Sequence, residues 1–140
     1  MALALSPTVI NNRLKALTNA LDGGGAAGNM LLYSGTRPSQ AGAPVTDQKL
    51  LATQPLAYPS AGGISGLTLT IRWGNPVLGS ASGLATWARF VDSNGTFVAD
   101  MDVGPVGAGV EIELDADITP KNQIYEGGVV SPVSLVLIES

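Results

Sequence analysis

The acidic side chains are the one group in this chain whose types and spacing point to a definite chemistry. Six of them fall in a short stretch: Asp100, Asp102, Glu111, Glu113, Asp115 and Asp117. Ca²⁺ takes about six to eight oxygen ligands, so such a cluster is a candidate calcium site. The stretch lacks an Asp-x-Asp-x-Asn-Gly loop with a distant Glu, and charged residues usually lie on solvated faces. We therefore expect these acids to form the solvent face of a strand and the following turn.

Other catalytic or binding chemistry has little support in the residue types present. The chain has no Cys and no His, which excludes disulfides, thiolate chemistry, zinc sites of the soft-ligand type and imidazole acid–base catalysis. The glycine-rich residues 23–28 lack both a preceding strand and a Gly-Lys-Ser/Thr sequence, so they predict a helix stop instead of a phosphate cradle. Nothing marks a pair among the 11 acids for glycoside hydrolysis. We predict no catalytic, cofactor-binding or metal residue, and no enzyme.

Composition favours a protein that works in an assembly. The 140 residues suit one domain spanning residues 1–140, and only 13% are charged while 45% are hydrophobic. A typical globular domain has roughly 25% charged residues, so the low charge suits a surface buried against partners. The seven cations are scattered and the net charge is −4, which argues against direct binding to nucleic acid. No apolar run is long enough to span a membrane, so no membrane partner is expected.

The N-terminal part of the chain predicts an amphipathic helix. Ser6 is a suitable N-cap and Pro7 suits the first helical position. One helical face is then formed by Ile10, Leu14, Leu17 and Leu21. We predict an arm over residues 1–8 and a helix over about 7–22. Its apolar face either covers the sheet or docks on a neighbouring subunit, and packing within the chain is favoured.

The rest of the chain predicts short strands separated by loops. Leu67, Leu69, Ile71 and Trp73 alternate with polar residues and share one strand face. The predicted strands are residues 30–33, 49–53, 67–73, 110–114 and 129–138, the last interrupted by Pro132, together with a hairpin at 86–99. The predicted loops are residues 34–47 and 55–66. Seven or eight strands with one N-terminal helix predict a mainly β fold, an antiparallel β-sandwich or jelly-roll-like barrel.

The hairpin at residues 86–99 is the strongest local prediction. Two apolar runs flank Asp92-Ser93-Asn94-Gly95, and Asn-Gly suits the left-handed backbone of a tight turn. Trp87, Arg89 and Val91 point to one side of the first strand, and the pattern does not decide which side is buried. Trp73 and Trp87 are expected in the core or at its rim, because aromatic residues make up only 5% of the chain.

Several runs of this sequence resemble a recurrent small protein of tailed-phage and prophage structural modules. They are Asn12-Arg13-Leu14, Leu21-Asp22-Gly23-Gly24-Gly25, Leu32-Tyr33-Ser34-Gly35-Thr36-Arg37-Pro38, Leu50-Leu51-Ala52-Thr53 and Gly83-Leu84-Ala85-Thr86-Trp87-Ala88-Arg89-Phe90-Val91-Asp92-Ser93-Asn94-Gly95. The resemblance runs in the same order over most of the chain. It implies a structural component of the virion without enzymatic activity.

Three hypotheses follow for the function. The favoured one is a capsid decoration or minor capsid protein that binds the major capsid protein or other virion proteins, forms a homo-oligomer (a trimer is favoured), and is found in the virion after assembly in the bacterial cytoplasm. Residues 1–8 and 34–48 are its expected contact segments. The second is a component of the tail, neck or head fibre. The third is a carbohydrate-binding module that depends on Trp73 or Trp87.

Overall fold

The computed structural model of the chain describes residues 4–65, 68–133 and 135–138. Within these ranges it contains one α-helix and nine β-strands. The helix is α1 (Pro7–Leu21), and the strands are β1 (Asn29–Tyr33), β2 (Leu50–Ser65), β3 (Thr68–Trp73), β4 (Gly83–Leu84), β5 (Trp87–Val91), β6 (Phe97–Pro105), β7 (Ile112–Leu114), β8 (Gln123–Ile124) and β9 (Leu135–Ile138).

Helix α1 begins and ends where its sequence predicts. The Ser6 hydroxyl accepts a hydrogen bond from the Val9 N–H at 3.2 Å, and Pro7 occupies the first turn, where a missing N–H breaks no helical bond. The helix ends at Leu21 with Asp22 as its C-cap. Residues 1–3 of the predicted arm lie outside the described residues, and residues 4–6 lead directly into the helix.

The apolar face of α1 packs inside the chain, as predicted. Ile10, Leu14 and Leu21 are buried, and the helix contacts β2 and β3. Thr18 is also buried, whereas Leu17 is only partly so. Thr18 satisfies its hydroxyl by donating to the backbone carbonyl one turn earlier, that of Lys15 at 3.1 Å.

The strands form a nearly closed, barrel-like sheet, which confirms the predicted mainly β class. Seven strands pair in the order β7-β6-β5-β1-β2-β3-β9, and β4 pairs with β8 in a separate two-stranded sheet. The pairings are antiparallel except for β6 with β7, which is parallel. The interior holds large apolar side chains from several strands, including Met30, Leu32, Phe90, Ile112 and Leu135.

The predicted loop at residues 55–66 is wrong for the described part of that range. The second strand does not stop near residue 53 but continues to Ser65 as the 16-residue β2. Its first half pairs with β1 and its second half with β3, with shifts in register between Leu56 and Ala61 and between Ala61 and Gly63. These irregularities allow β2 to pair first with β1 and then with β3. They also accommodate the Pro and Gly residues of β2, which usually interrupt regular strands.

The hairpin at residues 86–99 is confirmed and is organised around one carboxylate. The Asp92 Oδ1 atom accepts hydrogen bonds from the N–H groups of Asn94 and Thr96, both at 2.9 Å. The Gly95 N–H donates to the Asp92 carbonyl, and Gly95 has a φ of +84°. Only glycine adopts that conformation without strain, so Gly95 fixes the turn that joins β5 to β6.

The last predicted strand, residues 129–138, is shorter than expected. Regular pairing begins at Leu135, and residue 134 lies outside the described residues. The preceding residues still close the sheet, because the Asp115 N–H donates to the Ser131 carbonyl and the Val133 N–H to the Glu113 carbonyl, both at 3.0 Å. Pro132 lies between these two bonds and has no N–H to leave unpaired.

Irregular chain completes the wall of the barrel between β2 and β7. We call residues 74–80 and 125–133 the seam. The Gly79 N–H donates to the Gly128 carbonyl at 2.8 Å, and the Val130 N–H donates to the Val77 carbonyl at 2.9 Å. On its other side the seam reaches β2, where the Ser80 N–H donates to the Leu51 carbonyl. These backbone N–H and C=O groups are therefore paired, although the seam has no regular strand pattern from which the pairing could be predicted.

Candidate interaction surfaces

The acidic side chains that were candidates for a calcium site do not point toward a common point. Asp100 forms a bidentate ion pair with Arg89, at 2.8 and 3.0 Å, and Asp102 pairs with Arg37 at 3.3 Å. Because β5 and β6 place Arg89 opposite Asp100, the first of these pairs follows from the hairpin register. Each carboxylate therefore has its own cation.

The acids that follow are spread over three further contacts. Glu111 accepts a hydrogen bond from the Asp102 N–H at 3.4 Å, and Glu113 accepts one from the Gly109 N–H at 2.8 Å. Asp115 lies 3.6 Å from the Lys121 ammonium. Among the described residues there is no group of three or more acids placed to hold a metal ion.

The glycine-rich connector after α1 is a helix stop, as its sequence predicts. Gly25 has a φ of +81°, and Gly28 lies so close to its neighbours that a Cβ there would be 2.6 Å from the Val91 carbonyl oxygen. The Asp22 carboxylate at this end accepts the Ser60 N–H, which joins the helix end to β2.

Aromatic and charged side chains form a layered stack on the outer face of β1, β5 and β6, which we call the covered face. It comprises Tyr33, Trp87, Arg89, Phe97 and Asp100. The Tyr33 and Trp87 rings are stacked with centroids 4.6 Å apart. The Arg89 guanidinium carbon lies 5.4 Å from the Trp87 centroid and 5.2 Å from that of Phe97. These are cation–π distances, so one cation joins two aromatic rings.

The loop at residues 34–48 lies over the covered face. The Gly42 N–H donates to the Asp100 carboxylate at 3.3 Å, and the Phe97 ring is so near that a Cβ on Gly42 would be 3.1 Å from it. Arg37 pairs with Asp102, and the Gln48 amide donates to the Thr36 carbonyl. The loop therefore makes defined contacts with β6 of its own chain, and its expected role as a contact segment stays a prediction.

The Arg89–Asp100 hydrogen bond and the burial of Tyr33 set the electrostatics of the covered face. The side chains of Arg89 and Asp100 are only 11% and 3% exposed. The hydrogen bond to Asp100 raises the pKa of the Arg89 guanidinium above its ordinary value, although burial opposes this. Burial raises the pKa of the Tyr33 phenol above its ordinary value of 10.0. Both sides of β5 are therefore buried, which the alternation of its residues did not reveal.

The two tryptophans differ in accessibility, which limits a carbohydrate-binding role. Trp87 is fully buried and offers no face to a ligand. Trp73 is half-buried, and its indole N–H donates to the Val133 carbonyl at 3.0 Å. Both are core or rim residues, as expected, so a sugar platform would depend on Trp73 alone.

Four exposed apolar side chains lie along the seam and in the turn that precedes it. We call Leu78, Ile118, Tyr125 and Val129 the seam patch. They are 59%, 40%, 53% and 65% exposed, respectively. Leu78 and Val129 face each other across a backbone bridge, and Ile118, Tyr125 and Val129 line one groove of about 230 Å³. The patch is therefore continuous.

A second groove adjoins the patch on the other side of Val129. It has a volume of about 260 Å³ and includes Trp73, Pro76 and Pro132 in its lining. Val129 and Ser131 line both grooves, so Val129 forms the ridge between them. Sequence reasoning missed this surface, because its residues are isolated apolar positions in irregular segments.

No family model, curated protein or solved structure matches this chain. The described helix is too short and not apolar enough to span a membrane.

Proposed function

We propose that this chain is a structural protein of a tailed-phage particle, most specifically a capsid decoration or minor capsid protein that binds and stabilises the head shell. It acts through protein contacts and carries out no catalysis. Its partners are the major capsid protein or other virion proteins, and copies of the chain itself, with a trimer favoured. Its location is the virion.

The observation that carries the proposal is the exposed seam patch. Four large apolar side chains lie together at exposures between 40% and 65%. Contiguous apolar surface of this kind marks contacts with proteins or membranes more often than it occurs on a free monomer. The chain's 13% of charged residues also suits a protein whose surface is buried in an assembly.

The layout of the fold adds a second line of support. The backbone of the seam is held by hydrogen bonds on both sides, toward β2 and toward β7. A contact surface on such a frame needs little ordering when it binds, and affinity improves when ordering costs are low. A shell-stabilising protein uses this property to add buried area between its neighbours.

The resemblance of the Tyr33-Ser34-Gly35-Thr36-Arg37-Pro38 and Trp87–Gly95 runs to phage structural proteins supplies the class of assembly. A component of the tail, neck or head fibre is the alternative, since the same contact surface could bind proteins in that part of the particle. Copy number separates the two, because decoration proteins coat the shell while neck and tail-tip proteins occur in few copies.

Quantitative mass spectrometry of purified particles tests the proposal. Heads and tails are separated, and the amount of this chain is compared with that of the major capsid protein in each fraction. Many copies in tailless heads are expected. Enrichment in isolated tails would transfer the protein to the alternative, and absence from all particle fractions would overturn the virion role.

A further inference from the structure

The groove beside Trp73 differs from the seam patch because its lining includes a buried polar side chain. Gln54 lines this groove of about 260 Å³ and is 1% exposed. Its amide nitrogen donates to the carbonyl oxygens of Pro55 and Asn75, at 2.9 and 3.0 Å. Its amide oxygen is buried and accepts no hydrogen bond from any described residue. An acceptor left in this state costs free energy, which a donor entering the groove would recover.

Trp73 gives the groove a fixed aromatic wall. Its indole ring stacks on Phe90 at a centroid distance of 6.5 Å, with an angle of 29° between the two planes. Its N–H is held by the Val133 carbonyl at 3.0 Å. The ring is therefore packed against the core and hydrogen-bonded, and it is still accessible enough to line the groove. An aromatic wall that is already held in place loses little freedom when a ligand stacks on it.

The rest of the lining narrows the chemistry of the ligand. Ser131 is exposed and brings a hydroxyl, which can donate or accept a hydrogen bond. Pro76, Val129 and Pro132 supply apolar contacts. Among the described residues that line the groove, none is charged. Small-molecule sites combine apolar walls with a few polar groups in this way. The groove therefore suits a neutral ring with one apolar face and hydroxyl groups at its edge, which is the chemistry of a pyranose sugar.

We propose that the groove formed by Trp73, Gln54 and Ser131 binds a neutral pyranose sugar. The apolar face of the sugar stacks on the Trp73 indole. One sugar hydroxyl donates to the Gln54 amide oxygen, and another forms a hydrogen bond with the Ser131 hydroxyl. Of the seam patch residues only Val129 lines this groove, so the site goes beyond the proposed function and does not depend on it.

Nuclear magnetic resonance of the full, isotope-labelled chain tests the site, because the chain has only two tryptophans. Each indole N–H gives one resonance, and Trp73→Phe identifies that of Trp73. The probes are the methyl glycosides of glucose, galactose, mannose and N-acetylglucosamine. At least one of them is expected to shift the Trp73 resonance saturably, with a dissociation constant on the order of 1 mM for a single sugar. The fully buried Trp87 serves as the internal reference.

Variants measured by isothermal titration calorimetry assign the contacts. Ser131→Ala removes one hydroxyl from an exposed position and is expected to weaken binding by about threefold to tenfold. Ser39→Ala is the matched control, since Ser39 is an exposed serine in the loop at residues 34–48, and it is expected to bind like the wild type. Trp73→Ala is expected to abolish binding, and circular dichroism verifies that it folds. If it does not fold, the comparison of Ser131→Ala with Ser39→Ala decides.

Three results would overturn the sugar site. They are the absence of a shift with all four glycosides, equal binding by the wild type and Ser131→Ala, and a shift produced by phenol but by none of the glycosides. The last result would mean that the groove takes an aromatic group and not a sugar. Sugar binding by a chain that never occurs in particles would leave the site standing and refute the virion role. A chain that occurs in heads but binds no glycoside would refute the sugar site alone.

Discussion

The covered face and the seam patch are two surfaces of one barrel that differ in how exposed their large side chains are. On the covered face, Trp87 is fully buried, and the loop at residues 34–48 is tied to Asp100 and Asp102. On the seam patch, Val129 remains 65% exposed among the described residues. The loop at residues 34–48, an expected contact segment, makes a hydrogen bond and an ion pair within its own chain, whereas the seam patch remains exposed.

The difference shows that loop length and composition do not indicate which side chains remain exposed. The loop at residues 34–48 is rich in Pro, Gly and Ser, yet its Gly42 contacts Asp100 and the Phe97 ring. Its Arg37 forms an ion pair with Asp102. The seam has a well-bonded backbone but projects its apolar side chains outward. What matters is where the side chains of each segment find partners.

The largest expected effect comes from removing the cation at the centre of the covered face. Arg89→Met leaves the Asp100 carboxylate, whose side chain is 3% exposed, without its bidentate partner. Breaking a buried pair in this way costs about 3–5 kcal/mol of folding free energy. Urea unfolding followed by circular dichroism measures it.

Arg37→Met is the matched control for the buried pair. Arg37 and Asp102 also form an ion pair in this region, but their side chains are 44% and 47% exposed. Solvent screens such a pair, so the loss is expected to stay below about 1 kcal/mol. Equal losses at Arg89 and Arg37 would show that burial under the loop does not distinguish the two pairs.

The next effect tests the contact between the loop and the covered face. Gly42 has a φ of +79°, and a Cβ there would be 3.1 Å from the Phe97 ring. Gly42→Ala is expected to cost about 1–2 kcal/mol from the left-handed backbone alone, with a further loss from the ring. Limited proteolysis is expected to cut the loop faster in this variant.

Gly107→Ala separates those two contributions. Gly107 has a φ of +91°, and a Cβ there would meet nothing within 4 Å. It therefore incurs the backbone cost without a steric one. If Gly42→Ala were no more destabilising than Gly107→Ala, the loop would not be packed against Phe97.

The elements specified by neighbouring residues could be predicted from the sequence. The Ser6 cap, the spacing of Ile10 and Leu14, and the Asp92–Gly95 turn all act within a few residues, so α1 and the hairpin were placed correctly. The continuation of β2 past Thr53 was missed, because its second half is held by pairing with β3 and by register shifts that local pattern does not encode.

The surfaces were harder to predict than the elements. The expectation of a solvated acidic face holds for Glu111, Asp115 and Asp117. It is wrong for Asp100, whose side chain is 3% exposed, because its pairing with Arg89 is set by the hairpin register and not by local pattern. The seam patch joins Leu78 to Val129 across 51 positions of chain with no periodicity that connects them. Such a patch exists only after the barrel has closed.

A smaller effect uses the titration of the covered face. The pKa of the Tyr33 phenol is raised above 10.0 by burial, so the folded state holds this proton more tightly than the unfolded state. The stability from Tyr33 is therefore complete below pH 10 and is lost as the pH rises through the folded pKa. Tyr33→Phe is expected to reduce the alkaline loss of stability, measured by urea unfolding at a series of pH values. An unchanged alkaline profile in Tyr33→Phe would remove Tyr33 as its source.

The smallest expected effect is on the other side of the comparison, at the seam. Leu78 is 59% exposed, so Leu78→Ala in a dilute, monomeric sample is expected to change the free energy of unfolding by no more than about 0.5 kcal/mol. Leu51 is the matched leucine: it is fully buried, and its carbonyl accepts the Ser80 N–H from the seam. Leu51→Ala is expected to cost about 2–5 kcal/mol. A loss at Leu78 as large as that at Leu51 would mean that the seam patch stabilises the fold of a single copy. The patch would then not be a surface that is free to bind a partner.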